Sequence, residues 1–96
     1  MNKSELESLR EEIDQIDSEI VKLLNLRVSK ACKIGKIKKL SGVDPYDPAR
    51  EEQVFEKLAG YSEGPLREGS LRTVYREIIS ASIALEKDMV IGYLGP

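Results

Sequence analysis

Residues 6–40 have the sequence LESLREEIDQIDSEIVKLLNLRVSKACKIGKIKKL and predict one long amphipathic helix. The segment contains no proline, and its only glycine, Gly35, falls near its end. With a turn of about 100° per residue, apolar residues recur along one side of the helix. This apolar stripe consists of Leu9, Ile13, Ile16, Ile20, Leu24, Ala31 and Ile34. Because the stripe continues along nearly the whole segment, we expect the helix to be buried on one side throughout.

Two cations interrupt the apolar stripe. Arg27 lies where an apolar residue is expected, and Lys38 lies three turns further on, about 20° from the line of Arg27. Soluble helices keep such residues off their buried face, because an unpaired buried charge is costly. Either cation alone could extend to the helix edge or pair with an acidic residue. Both on one face, with the small residues Ala31 and Gly35 between them, favour a pocket for an anionic ligand.

The length of this helix predicts a partner chain. From Ser4, whose side chain is suited to cap the helix, to Leu40, the helix would be about 55 Å long. A compact chain of 96 residues measures only about 30–35 Å across. The remaining half of the chain is therefore too short to cover the stripe, and an identical second chain is the simplest cover.

Two shorter helices are predicted after the long one. Asp47-Pro48 is a start signal, an N-cap acid followed by proline at the first helical position. We expect this second helix to end near Ala59, before Gly60. Ser70 is predicted to cap a third helix that ends near residue 87. The predicted fold is all-α, with one very long, one short and one medium helix.

Polar residues also occupy the two shorter helices. Arg50 and Glu51 lie one turn beyond Asp47, and Ser82 and Glu86 lie one turn apart on the apolar side of the third helix. Each has an ordinary explanation: Asp47 as a cap, Glu51 at the positive helix end, Ser82 bonded to a carbonyl one turn earlier. Taken together with the two cations of the stripe, they favour a small ligand with several negative charges.

Arg10 lies at the edge of the stripe, about 25 Å along the helix from Arg27. Within one straight helix it cannot reach the pocket of Arg27, and alone it is best explained as a solvated surface residue. In an antiparallel or crossing dimer, however, the N-terminal part of one helix would lie beside the middle of the other.

Composition excludes several classes of function. The net charge of −2 provides no general basic field, which argues against nucleic acid. No apolar run approaches the roughly 20 residues that span a bilayer, and the N-terminus lacks the apolar core of a secretory signal. The single Cys32 fits a reducing cytoplasm. Without histidine, Cys/His zinc sites, Ser-His triads and Cys-His dyads are excluded within this chain. If there is catalysis, it should depend on positioning and electrostatic stabilisation rather than on covalent chemistry.

In their order and spacing, these residues resemble the all-helical chorismate mutase family. The matching segments are 9–17 (LREEIDQID), 23–27 (LLNLR), 34–38 (IGKIK), 47–51 (DPARE) and 76–86 (REIISASIALE). The resemblance covers about residues 5–88. It implies an intertwined homodimer of three-helix chains with two active sites, each using an arginine from the partner. It also implies the reaction: chorismate, a dianion, rearranges to prephenate in a Claisen step that needs no cofactor and serves phenylalanine and tyrosine biosynthesis.

The resemblance assigns the substrate carboxylates to four residues. The partner subunit's Arg10, with Arg27 and Arg50, would hold the two carboxylates, and Ser82 would assist. Arginines in this arrangement would trap the compact diaxial conformer of the substrate.

The resemblance assigns the ring hydroxyl and the ether oxygen of the substrate to two further pairs of residues. Asp47 and Glu51 would meet the ring hydroxyl, while Lys38 and Glu86 would flank the ether oxygen, where negative charge gathers in the transition state. Some family members carry glutamine in place of Glu86. Because a carboxylate would repel the developing oxyanion, we expect Glu86 to be protonated and activity to fall as pH rises.

Residues 89–94, MVIGYL, predict a strand that has no partner strand in this chain. With the following Gly95-Pro96, the tail is similar to the opening strand of prephenate dehydratase. We therefore expect a chorismate mutase domain over 1–88 and, over 89–96, the start of a dehydratase domain in a bifunctional parent protein. Two alternatives remain open: an isochorismate–pyruvate lyase of the same fold, and a non-catalytic helical dimerisation module with Arg27 and Lys38 in structural ion pairs.

Overall fold

The structure is a computed structural model, and it describes the backbone of residues 3–44 and 47–90 and the side chains of 4–44 and 47–86. The described residues form three helices and no strand. They are α1 (Lys3–Leu40), α2 (Pro48–Tyr61) and α3 (Glu68–Val90). The prediction of an all-α chain with one very long, one short and one medium helix is confirmed.

Helix α1 ends in a backbone motif that requires glycine. The amide of Gly42 donates to the carbonyl of Lys39 (3.2 Å), and the amide of Val43 donates to the carbonyl of Lys38 (2.8 Å). These two bonds form a Schellman motif, and Gly42 has the left-handed backbone angle that the motif demands, φ +72°. At the other end, Ser4 lies inside the first turn rather than at the cap, because the helix already begins at Lys3.

The boundaries of the shorter helices differ from the predicted ones by one turn or less. Helix α2 continues through Gly60 to Tyr61, because a single glycine weakens a helix without breaking it, and the Ser62 amide still bonds the Leu58 carbonyl at 3.3 Å. Helix α3 begins at Glu68, so Ser70 lies in its first turn.

The strand predicted over 89–94 is wrong where it can be compared. Met89 and Val90 continue α3, because the ladder of helical hydrogen bonds outweighs the weak β preference of such residues. The rest of the predicted strand, 91–94, lies outside the described residues.

The chain divides into two compact units, Met1–Lys30 and Ala31–Pro96. In the first unit, the apolar stripe of α1 is exposed in the single chain. Leu9, Ile13, Ile16 and Ile20 each have between 43% and 56% of their surface exposed. Large side chains left exposed at helical spacing are typical of a surface that another chain covers.

Among the side chains that the structure describes, the buried ones belong to the second unit. They are Cys32 of α1, Phe55 and Leu58 of α2 and Ser82 of α3. Helix α2 packs on α3, and the guanidinium of Arg72 links them. This guanidinium lies 4.9 Å from the centre of the Phe55 ring, and its Nη2 is 3.2 Å from Glu52 Oε1. These contacts join the N-terminal half of α3 to the middle of α2.

Candidate active site

Six of the eight predicted site residues belong to the second unit. They are Lys38, Asp47, Arg50, Glu51, Ser82 and Glu86. The other two belong to the first unit, where Arg10 is exposed and Arg27 is half-buried. The combination of Arg10 and Arg27 with the six residues therefore stays a prediction.

Lys38 and Asp47 meet where α1 ends and α2 begins. The Lys38 Nζ lies 3.4 Å from Asp47 Oδ2, and the two side chains are 24% and 44% exposed. Pairing of a stripe cation with an acidic residue is one of the ordinary roles considered above for Lys38. Because water reaches both partners, such a pair adds little stability and is readily exchanged for another charged group.

Asp47 also caps α2, as its position before Pro48 predicts. Its Oδ1 accepts a hydrogen bond from the backbone N–H of Arg50 at 3.0 Å. This bond is the main reason why the pKa of Asp47 is lowered; burial opposes it, and Lys38 lowers the pKa further. Asp47 is ionised at neutral pH and acts only as an acceptor, which suits it to accept a hydrogen bond from a hydroxyl group.

Arg50 and Glu51 follow Asp47 on the first turn of α2. Arg50 is exposed and Glu51 is half-buried. The Glu51 amide donates to the carbonyl of Asp47 at 3.2 Å, which completes the first turn. The cap therefore fixes the point at which both side chains leave the backbone.

Ser82 is the buried polar residue of the second unit, with 3% of its surface exposed. Its Oγ donates to the Ile78 carbonyl one turn earlier, at 2.9 Å. This is the ordinary role considered for it in the sequence. Because its one proton is used there, Ser82 as it stands can only accept a hydrogen bond, and its hydroxyl must rotate before it can donate to a carboxylate.

Glu86 lies one turn beyond Ser82 and is half-buried. Its carboxyl group packs against Gly35 of α1: a Cβ built on Gly35 would be 3.2 Å from Glu86 Oε2 and 3.3 Å from Cδ. Burial raises the pKa of Glu86, and the positive charge of Lys38 partly opposes this rise. The shift is in the direction that the predicted protonated Glu86 requires.

The sequence did not single out two of these relationships. Gly35 was noted only as a small residue between two cations, and its contact with Glu86 depends on how α1 and α3 pack. Arg72 was not noted at all, because a cation beside Phe55 and Glu52 has no signature in a linear pattern. Arg72 Nε is buried and has no hydrogen-bond partner within the described part of the chain.

Two features limit the chemistry of the described residues. Among their side chains, no group of three or more His, Cys, Asp or Glu residues could hold a metal ion. None of the three described helices has an apolar stretch long enough to span a bilayer. Among the groups that the described second unit offers a ligand are the cation of Lys38, the carboxylate of Asp47 and the half-buried carboxyl group of Glu86, whose pKa is raised.

Three helices, the first of them very long, are the architecture that this chain shares with solved all-helical chorismate mutases. The family described as chorismate mutase type II matches residues 9–87. The chain belongs to this family.

Among its relatives, the chain is similar to the bifunctional chorismate mutase/prephenate dehydratase of Aquifex aeolicus (strain VF5), with 44% identity over 96 residues. This match covers 96% of the chain but 26% of the relative. The chain thus spans about a quarter of the length of the bifunctional relatives it matches.

Two solved structures are similar along most of their length. Chorismate mutase (form II) of Thermus thermophilus has a TM-score of 0.83 and 34% identity, over 86% of this chain and 94% of that one. Chorismate mutase of Helicobacter pylori in complex with prephenate has a TM-score of 0.83 and 32% identity, over 92% and 96%. The similarity therefore includes all three helices rather than one long amphipathic segment.

Proposed function

We propose that this chain converts chorismate to prephenate in an intramolecular Claisen rearrangement. The observation that carries the proposal is the placement of Lys38 beside Glu86, whose pKa is raised mainly by burial. A cation and a neutral acid are the two donors that would stabilise an ether oxygen as it gains negative charge. Membership of the family and similarity to a chorismate mutase in complex with prephenate support the same reaction.

In this mechanism the protein does not form a bond to the substrate. The ether C–O bond breaks while a new C–C bond forms within the same molecule, and negative charge grows on the ether oxygen. Lys38 binds that oxygen more strongly in the transition state than in the ground state, which is the condition for catalysis. Glu86 donates a hydrogen bond to the same oxygen as long as it is protonated.

Binding of chorismate exchanges the partner of Lys38. In the single chain Lys38 is paired with Asp47. With substrate bound, Lys38 turns to the ether oxygen. Asp47 and Glu51 then accept hydrogen bonds from the ring hydroxyl. The exchange costs little because the ion pair is partly exposed, and the cap of α2 persists because it uses the other oxygen of Asp47.

The substrate carboxylates are held by arginines of two chains in this proposal. Arg27 and Arg50 of one chain, with the partner subunit's Arg10, bind the two carboxylates and trap the reactive conformer. Ser82 assists once its hydroxyl has rotated away from Ile78. The exposed stripe of the first unit supports an intertwined homodimer, because it is the surface that a second α1 would cover.

We further propose that residues 1–88 form the chorismate mutase domain and that 89–96 lead into a prephenate dehydratase domain. The bifunctional name of the Aquifex aeolicus relative, which matches 96% of this chain, supports the fusion. The buried free Cys32 is compatible with a reducing compartment, and we place the activity in the cytoplasm.

A non-catalytic helical dimerisation module is the second candidate function. It is favoured by one observation: Lys38 and Ser82 each already have a partner within the chain, Asp47 and Ile78. A module of this kind would neither bind nor consume chorismate. An isochorismate–pyruvate lyase would instead release pyruvate from isochorismate.

The deciding experiment follows the loss of chorismate absorbance with wild type, Lys38→Ala and Lys39→Ala. Lys39 is the matched control, since it is the neighbouring lysine in the last turn of α1 and is exposed. We expect Lys38→Ala to lower kcat by about 10²–10³-fold, the usual effect of losing one transition-state donor, and Lys39→Ala to leave it unchanged. Equal rates for the two variants would contradict the mechanism. If wild type does not consume chorismate, release of pyruvate from isochorismate would favour the lyase, and its absence the module.

A further inference from the structure

Gly35 is the one described glycine that another side chain contacts closely. A Cβ at this position would meet Oε2 and Cδ of Glu86 at 3.2 and 3.3 Å, whereas a Cβ at Gly60 or Gly69 would meet nothing within 4 Å. All three glycines lie within helices. Alanine stabilises a helix relative to glycine, so helix stability does not explain the glycine at position 35 of α1.

We propose that Gly35 is a positioning residue that leaves room for the Glu86 carboxyl group to lie against α1 beside Lys38, where the reaction needs it. The catalytic part of this inference rests on the proposed function, whereas the contact between Gly35 and Glu86 does not. Gly35 would not touch the substrate. It would act through Glu86, by determining how deeply the carboxyl group is buried.

A methyl group at Gly35 would move Glu86 rather than the backbone. The atoms that it would meet belong to the end of a flexible side chain, which can shift by a few tenths of an ångström. Movement away from α1 relieves the contact, and we expect that movement to leave the carboxyl group less buried. Because burial is the main cause of its raised pKa, the pKa of Glu86 would then fall.

Charged groups near Glu86 do not reverse this expectation. Lys38 faces it from α1, and Asp47 at the start of α2 is paired with that lysine. Both remain in place when only a methyl group is added to α1. The positive charge of Lys38 favours the ionised form of Glu86, so a carboxyl group that is less buried would ionise at lower pH.

The variant Gly35→Ala tests this inference, with Gly60→Ala as the matched control. Both replace a helical glycine by alanine, but only the first meets a neighbour. The first readout is a ¹³C NMR titration of the side-chain carboxyl groups, with the Glu86 signal assigned from Glu86→Gln. We expect the pKa of Glu86 to be lower in Gly35→Ala than in wild type and unchanged in Gly60→Ala. An unchanged pKa in Gly35→Ala would overturn the inference.

The second readout is the pH profile of kcat/KM. Since a misplacement of about 1 Å can cost about 10²-fold, we expect a shift of tenths of an ångström to lower kcat/KM by about 3–10-fold. The loss should be larger at alkaline than at acid pH. In a Glu86→Gln background, Gly35→Ala should lower activity equally at every pH. If Gly35→Ala lost the same fraction of kcat/KM at every pH with Glu86 present, Gly35 would have only a structural role and the inference would fail.

The two readouts separate this inference from the proposed function. If wild type does not consume chorismate, the proposed function fails, while the NMR titration still tests the effect of Gly35 on Glu86. If wild type consumes chorismate and Gly35→Ala behaves as Gly60→Ala in both measurements, the inference fails alone.

Discussion

Lys38 and Asp47 form an ion pair across the turn between α1 and α2, with Nζ 3.4 Å from Oδ2. The same aspartate caps α2 through its other oxygen, which accepts the Arg50 amide. The backbone bond, and to a lesser degree Lys38, lowers the pKa of Asp47, so that its carboxylate stays ionised to lower pH than an ordinary aspartate. Asp47 thus combines a structural role at the start of α2 with a role in holding the lysine that we assign to catalysis.

Substitutions at Asp47 should separate these two roles. Asparagine caps helices about as well as aspartate but carries no charge, whereas alanine neither caps a helix nor carries a charge. We expect Asp47→Asn to keep the melting temperature of wild type and Asp47→Ala to lower it by several degrees, as measured by circular dichroism. Both should raise KM for chorismate, since neither restores the carboxylate that would accept the ring hydroxyl. Equal thermal losses in the two variants would contradict the capping role.

Glu86 should make activity depend on pH. Burial raises its pKa, so the protonated form persists to higher pH than for an ordinary glutamate. Because only this form donates to the ether oxygen, we expect kcat/KM of wild type to fall by about tenfold per pH unit above the pKa of Glu86. Glu86→Gln, which donates at every pH, should flatten the profile. A flat wild-type profile from acid to alkaline pH would contradict the role of Glu86.

The same raised pKa predicts a change in stability. A carboxyl group whose pKa is higher in the folded than in the unfolded chain stabilises the fold relatively more at low pH. This contribution is complete below the unfolded pKa of about 4.5 and is lost as pH rises through the folded pKa. The Glu86→Gln side chain does not ionise, so this variant lacks the loss of stability at higher pH. We therefore expect the melting temperature of Glu86→Gln relative to wild type to be higher at pH 8 than at pH 4. An equal difference at both pH values would show that Glu86 is not buried enough to matter.

The sequence predicted the helices because their signals are local. The apolar stripe and the absence of proline defined α1, and Asp47-Pro48 marked the start of α2. The helix ends at Gly60 and Ser70 were misplaced, since a single glycine or serine is a weak signal that the rest of the helix overrides. The strand predicted from Met89 onward was wrong at Met89 and Val90 because the β preference of such residues is also a weak signal, which the helical hydrogen bonds override.

The sequence identified site residues without identifying their partners. Helical spacing showed that Lys38 and Glu86 lie on apolar faces, where a charge needs an explanation. It did not show that Lys38 pairs with Asp47 or that Glu86 packs on Gly35, because those contacts join separate helices. Periodicity indicates which face of a helix is buried, but only packing determines which side chains meet there.

The exposed stripe of α1 predicts a large difference between two charge substitutions. Ile16 lies in the stripe and is 56% exposed in the single chain, while Ser18 lies on the opposite, polar side. If a second chain covers the stripe, Ile16→Glu buries an unpaired charge and should weaken the dimer by more than about 2 kcal/mol. Ser18→Glu should change the free energy of dimer dissociation by no more than about 0.5 kcal/mol. Analytical ultracentrifugation measures both, and equal behaviour would place the stripe outside the interface.

Mixing two inactive variants tests the assignment of Arg10 to the partner subunit. Arg10→Ala and Arg27→Ala should each be inactive as homodimers, because every site then lacks one arginine. In a mixed dimer, one site lacks both arginines and the other has both intact. When the variants are refolded together in equal amounts, about half of the dimers are mixed, so activity should return to about a quarter of wild type. If Arg10 instead served its own chain, each mixed site would still lack one arginine and mixing would restore nothing.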